Sequence, residues 1–130
     1  MAKAWLAAAA VSGFFTVALG AFGAHSLKHL LDAYGKSIYE TAVLYQMFHT
    51  LALVAVGLLQ HLFKQVRFGP AGWGFLVGIL LFSGSLYLMA VSGLRWLGAV
   101  TPVGGTAFLF GWVWLIYGVF RIRPGRPVGQ

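Results

Sequence analysis

Glu40, Tyr45, Gln46 and His49 fall within one run, YETAVLYQMFHTLAL (39–53), that leads into an otherwise apolar stretch. A carboxylate, a phenol, an amide and an imidazole at these spacings could form a proton relay, a cation site or a ligand pocket. Ionisable groups at such depth in a membrane face protein or a water-filled cavity, which makes them functional candidates by default. Thr41, Tyr45 and His49 recur every four residues and lie along one stripe of a helix, with Gln46 and Thr50 on the stripe beside it. The plainer alternative is a set of interhelical hydrogen bonds that fix packing, each worth on average about 0.6 kcal/mol. Glu40 also has a local explanation. Ser37 and Glu40 have the S-x-x-E form of a capping box, in which hydroxyl and carboxylate satisfy free N–H groups at a helix start. The helix dipole favours negative charge there as well, so Glu40 reads as a cap.

Other polar groups carry weaker signals. His25, His29 and Asp32 in HSLKHLLDAYGK (25–36) stand at i, i+4 and i+7, a spacing compatible with a metal. The same pattern is what the wet face of an amphipathic helix carries, and solvation rather than a metal site is the expectation. Ser83, Ser85 and Tyr87 in LFSGSLYLM (81–89) bring hydroxyls to mid-membrane, where they must find partners on neighbouring helices. Thr101 before Pro102 suits an N-cap followed by proline at the first helical position. His61 falls at the inner end of its segment and reads as interfacial. There is no cysteine, hence no thiolate nucleophile, disulfide or thiolate metal site. GPAGWG and TPVGG lack the strand, the lysine and the spacing of a phosphate loop.

The elements that position these groups follow from composition. The chain is 60% hydrophobic and 8% charged, with a mean hydropathy of +0.85, against roughly 25% charged residues in soluble domains. This is an all-α membrane protein, because an open sheet would leave backbone groups unpaired in lipid and no alternation suggests a barrel. Four apolar segments, 4–24, 38–63, 72–92 and 102–120, predict a four-transmembrane-helix bundle, since a span needs about 20 residues. The chain reads as a single domain over 1–121 and a short basic cytoplasmic tail over 122–130. The first segment, uncharged over 21 residues, exceeds the roughly 7–15 of a signal-peptide core and reads as a retained helix. Residues 38–63 make ~39 Å of helix against a ~30 Å core, which sets His49 ~9 Å below the outer boundary when Phe63 sits at the inner one. Between the first two spans, Leu27, Leu30, Leu31 and Tyr34 follow i, i+3, i+4, i+7. They predict a short amphipathic outer-face helix stopped by Gly35.

Lys3, Lys64, Arg67, Arg121, Arg123 and Arg126 fall on one side of the four spans, and Lys28, Lys36 and Arg95 on the other. The positive-inside rule then places both termini in the cytoplasm. The net charge of +7 reports this topology, and nucleic acid is not an expected partner. Trp5, Trp73 and Trp96 fall near span ends as interfacial anchors. Gly74 and Gly78 form a GxxxG. Gly20 with Ala24, Ala9 with Gly13 and Ala107 with Gly111 repeat the small-xxx-small theme, and Gly104 and Gly105 permit tight backbone contact. These faces serve either the bundle interior or association into a homo-oligomer or larger membrane complex.

The strings GAFGAHSL (20–27), YETAVLYQMFHTLAL (39–53), LFSGSLYLM (81–89) and TPVGGTAFLFGW (101–112), taken together and in order, resemble the YgdD/YwdK-like family. These are small four-helix integral membrane proteins of unknown function, similar to a small animal transmembrane protein. The resemblance implies a multi-pass protein of the bacterial inner (plasma) membrane with no established reaction, and it leaves any cofactor unknown. It places the recurrent polar positions at His25, Glu40, Tyr45, Gln46, His49, Ser83, Ser85 and Thr101, leaving His29 and Asp32 outside, and suggests one shared polar pocket opening outward.

Three functions compete. The protein is a non-enzymatic membrane component that binds lipid or a small molecule, or joins a larger complex, through its polar pocket and glycine-rich faces. Alternatively it is an oligomeric proton or cation channel or transporter built on Glu40, Tyr45 and His49, or a metal or haem protein ligated by His25 and His49. The lack of a complete catalytic constellation favours the first.

Overall fold

The computed structural model describes residues 1–123, so residues 124–130 of the expected basic tail lie outside the described residues. Helix α1 (Ala2–His25) leads through turns into α2 (Ala33–Leu62). The third span is composite, with α3 (Gly69–Gly78), a π-helical turn (Ile79–Ser83) and α4 (Gly84–Ser92) in sequence. A 3-10 turn (Arg95–Ala99) precedes α5 (Thr101–Phe120). Four helical spans, Ala2–His25, Ala33–Leu62, Gly69–Ser92 and Arg95–Phe120, are long and apolar enough to cross a membrane. The all-α, four-span architecture expected from composition is the one observed.

Local chemistry explains where the helices start and stop. Alanine, the best helix former, dominates the first half of α1. Asp32, in extended conformation, accepts the Gly35 N–H at 2.6 Å and caps α2. Pro70 occupies the first turn of α3, where its missing N–H costs nothing. Gly93 ends α4 at φ 72°, a left-handed conformation that only glycine adopts freely, and its N–H bonds the Met89 carbonyl at 2.9 Å.

The second and third spans form the central pair. Helix α1 packs along α2, and α5 packs back along α3 and the π turn. Leu53, Val56, Phe68 and Phe75 are fully buried between them. Without a hydrophobic drive between helices in lipid, close backbone approach has to supply the attraction, and the glycines supply it. A Cβ on Gly74 would lie 2.8 Å from the Cα and N of Gly111, and one on Gly104 only 2.3 Å from the backbone N of Phe82. Gly78 is covered by the Phe108 ring and Gly111 by the Phe75 ring, while Gly20 meets Val43 at 3.4 Å. The GxxxG of α3 is therefore spent on α5 of the same chain.

Four local expectations are corrected. Residues 26–32 form turns rather than an amphipathic helix, because this short segment must reverse the chain between antiparallel helices. Leu27 turns inward and is buried while Leu30 is exposed. Helix α2 begins at Ala33 with Asp32 as its cap, so Gly35 lies in its first turn and stops nothing, and Ser37 and Glu40 lie inside the helix without forming a capping box. Asp32 is a cap residue as good as serine and comes first in the chain. Thr101 is the first residue of α5 rather than its cap, with Val100 before it. Trp5 is 3% exposed and packs edge-on against Trp73, with ring centroids 5.4 Å apart. It fills the space over Gly72 instead of anchoring at the lipid interface, whereas Trp73 and Trp96 are exposed.

Candidate functional site

Helix α2 carries most of the chemistry, and successive residues on it point about 100° apart. Tyr45 and His49, one turn apart, face α5. Gln46 and Thr50, one position further on, face α1.

His49 is 2% exposed. Its Nε2 accepts the indole N–H of Trp112 at 3.1 Å. Because an indole can only donate, that nitrogen carries no proton, and the ring is neutral with its hydrogen on Nδ1, which donates to the Tyr45 carbonyl at 2.8 Å. The imidazole lies parallel to the Phe108 ring, with centroids 3.5 Å apart and planes 8° from each other. Tyr45 in turn stacks on Phe82 at 4.5 Å. These rings, with Phe48, line a cleft of about 690 Å³ between α2 and α5. Leu44, Phe48 and Leu109 on its walls are exposed, so the cleft opens sideways into the membrane.

On the other face of α2, Gln46 donates to the Ser12 carbonyl at 3.2 Å and accepts the Tyr87 hydroxyl at 2.7 Å. Ser12 and Thr50 share a hydroxyl–hydroxyl bond of 2.6 Å. This group ties α1, α2 and α4 together. Ser83, inside the π turn, donates to the Ala42 carbonyl at 2.8 Å and fastens that turn to α2. Ser85 bonds Thr101 at 2.7 Å and donates to the Phe82 carbonyl at 2.9 Å, joining α4 to the start of α5.

The eight expected polar positions are thus not brought into one pocket. Tyr45 and His49 share the α2–α5 cleft, Gln46 belongs to the α1 face, and Ser83, Ser85 and Thr101 make separate bonds between elements. Glu40 is exposed and lines a smaller cavity of about 260 Å³ with Gly20, Gly23, Lys36 and Tyr39. His25 is exposed at the end of α1. Residues 26–32 not being helical, His25, His29 and Asp32 do not share a helical face, and no group of three histidine, aspartate or glutamate side chains among the described residues could hold a metal ion. Gly105 borders the cleft, where a Cβ would meet nothing nearer than the Phe82 ring at 3.8 Å.

Three contributors were not anticipated. Trp112 and Phe108 complete the His49 site, and a tryptophan in mid-span was the available signal, since a buried indole N–H needs an acceptor. Gln60 accepts the Phe68 N–H at 2.9 Å and donates to the Val66 carbonyl at 3.0 Å, fixing the loop into α3.

Fold and site together define a small four-span integral membrane protein in which Gln46, His49, Thr50 and Ser83 bond from helix to helix. The chain matches the family described as protein of unknown function (DUF423) over residues 19–105, and it belongs to that family. It is 48% identical over 124 residues to a UPF0382 membrane protein of Haemophilus influenzae, covering 95% of this chain and 98% of the relative. The UPF0382 inner membrane protein YgdD of Escherichia coli K12 is 43% identical over 115 residues, 88% of each chain. A UPF0382 membrane protein of Staphylococcus saprophyticus is 40% identical over 120 residues, covering 92% and 99%. No solved structure matches.

Proposed function

We propose that the protein is a non-enzymatic component of the bacterial inner membrane that holds a lipid chain or a small apolar molecule in the cleft between α2 and α5, with both termini in the cytoplasm. The observation that carries this reading is the cleft itself, about 690 Å³ and walled by Tyr45, Phe48, His49, Phe82, Phe108 and Trp112. Its size falls within the roughly 300–1,000 Å³ of small-molecule sites, which are mostly apolar with few polar groups. Both ring nitrogens of His49 are engaged within the chain, which supports a rigid wall and argues against a proton relay. The excess of lysine and arginine on the terminal side supports the orientation, and the printed name of the Escherichia coli relative supports the inner membrane.

Native mass spectrometry of protein released gently from membranes tests the reading. Wild type is expected to retain a defined adduct that Gly105→Phe, which fills the cleft, loses while keeping its thermal stability. An adduct equally retained in the variant overturns the assignment. Orientation is read separately, by a reporter fused after Gln130 that is active only in the periplasm and is expected to stay silent.

A further inference from the structure

Among nine lysines and arginines the chain has only two acidic side chains, Asp32 and Glu40. Asp32 caps α2 and Glu40 lies two turns into it, at the end of the bundle away from the termini. The terminal end has no acidic side chain to neutralise its arginines. There the loop over residues 63–68 and the last turns of α5 border a third cavity of about 580 Å³, lined by Arg67, Arg121 and Arg123 with Gln65, Trp114 and Tyr117. The Trp114 indole donates to the Arg67 carbonyl at 2.9 Å, which ties the backbone of Arg67 to α5, and the Arg67 side chain is exposed. The Arg121 guanidinium sits 5.3 Å over the Tyr117 ring.

We propose that this cavity binds the phosphate of an anionic phospholipid. Guanidinium forks match phosphate oxygens in pairs, tryptophan and tyrosine belong at headgroup depth, and basic cavities at span ends suit anionic headgroups. The exposed Val113, Ile116 and Phe120 of α5 offer the acyl chains a surface beside the headgroup. The site is separate from the α2–α5 cleft and stands without it.

The test is native mass spectrometry of the full chain with dioleoyl phosphatidylglycerol and dioleoyl phosphatidylcholine offered together. Wild type is expected to retain phosphatidylglycerol about tenfold over phosphatidylcholine, and Arg67→Gln/Arg121→Gln to lose that preference. Lys28→Gln/Lys36→Gln, which removes the same charge from the other end, is expected to keep it, as is Gly105→Phe. The single Arg121→Gln variant repeats the test with one side chain changed and is expected to weaken the preference. Equal retention of the two lipids by wild type, or equal loss in the lysine pair, overturns the proposal. So does displacement of the lipid by millimolar inorganic phosphate, which would assign the cavity to a free anion.

Discussion

Trp112 on α5 donates its indole N–H to Nε2 of His49 on α2 at 3.1 Å, and this bond agrees with the Tyr45 carbonyl at Nδ1 on one tautomer of the imidazole. With the proton on Nδ1 and directed at the Tyr45 carbonyl, His49 differs from a solvated histidine. Nitrogen NMR of histidine-labelled protein is expected to show one Nδ1–H imidazole whose bare Nε2 resonance shifts in Trp112→Phe, as that nitrogen loses its donor, while the proton stays on Nδ1. A spectrum with only Nε2–H or exchanging rings would contradict the geometry.

Removing the ring altogether has a larger effect. His49→Ala deletes a buried side chain stacked on Phe108 and leaves the Trp112 N–H without its acceptor, a loss on the order of 2 kcal/mol. His29 is exposed in the turn after α1, so His29→Ala is expected to stay within about 0.5 kcal/mol of wild type. Unfolding of both variants in mixed detergent micelles checks the contrast, and equal midpoints would refute it.

Adjacent glycines at the start of α5 make an internal comparison. A Cβ at Gly104 meets the backbone N of Phe82 at 2.3 Å and the Leu81 carbonyl carbon at 2.8 Å, whereas one at Gly105 meets only the Phe82 ring, at 3.8 Å. Backbone cannot rotate aside. Gly104→Ala is expected to cost about 3 kcal/mol, and Gly105→Ala to be neutral or to gain up to ~1 kcal/mol from helix propensity. The two melting temperatures, measured side by side, should differ by many degrees.

Gln46 and Tyr87 bond each other at 2.7 Å. A double-mutant cycle over Gln46→Leu and Tyr87→Phe is expected to return a coupling energy of about 0.6 to 1.7 kcal/mol. Additive effects would mean that the two side chains do not share a bond in the membrane.

Gln60 holds the loop that contains Lys64 and Arg67 by bonds to the Val66 carbonyl and the Phe68 N–H. Gln60→Leu removes both. Trypsin applied to the variant should cut at Lys64 or Arg67 several times faster than in wild type, since local opening governs proteolysis of a folded chain. Unchanged cleavage would show that other contacts hold the loop.

The spans were legible because twenty apolar residues have few other uses, and the family because four strings recur in order. The two polar stripes that carry Tyr45 with His49 and Gln46 with Thr50 were also readable from the α2 segment alone. Their partners were not. Tyr45 and Gln46 are neighbours in sequence but project about 100° apart, so assigning them to one pocket required knowing that α1 lies on one side of α2 and α5 across the cleft. The cap of α2 was misplaced because Ser37 and Glu40 match a known pattern, while Asp32 and Gly35 make the bond. The π turn had no local signal in ILLFS, which contains neither proline nor glycine. Its nearest trace is Gly104, a residue without a side chain where Phe82 presses closest.

That turn changes how the third span is to be understood. A π turn inserts one residue into the α-helical count, so everything after it is set back by about 100° relative to an unbroken helix. Below Ile79 the span presents Gly74 and Gly78 to α5, and above Ser83 it presents Tyr87 to Gln46. The helix is written in two reading frames, the lower one giving its glycines to α5 and the upper one its tyrosine to α2. Deleting a single residue at Leu80 would merge the frames and swing Tyr87 away from its partner, although no side chain that makes a hydrogen bond would have been removed.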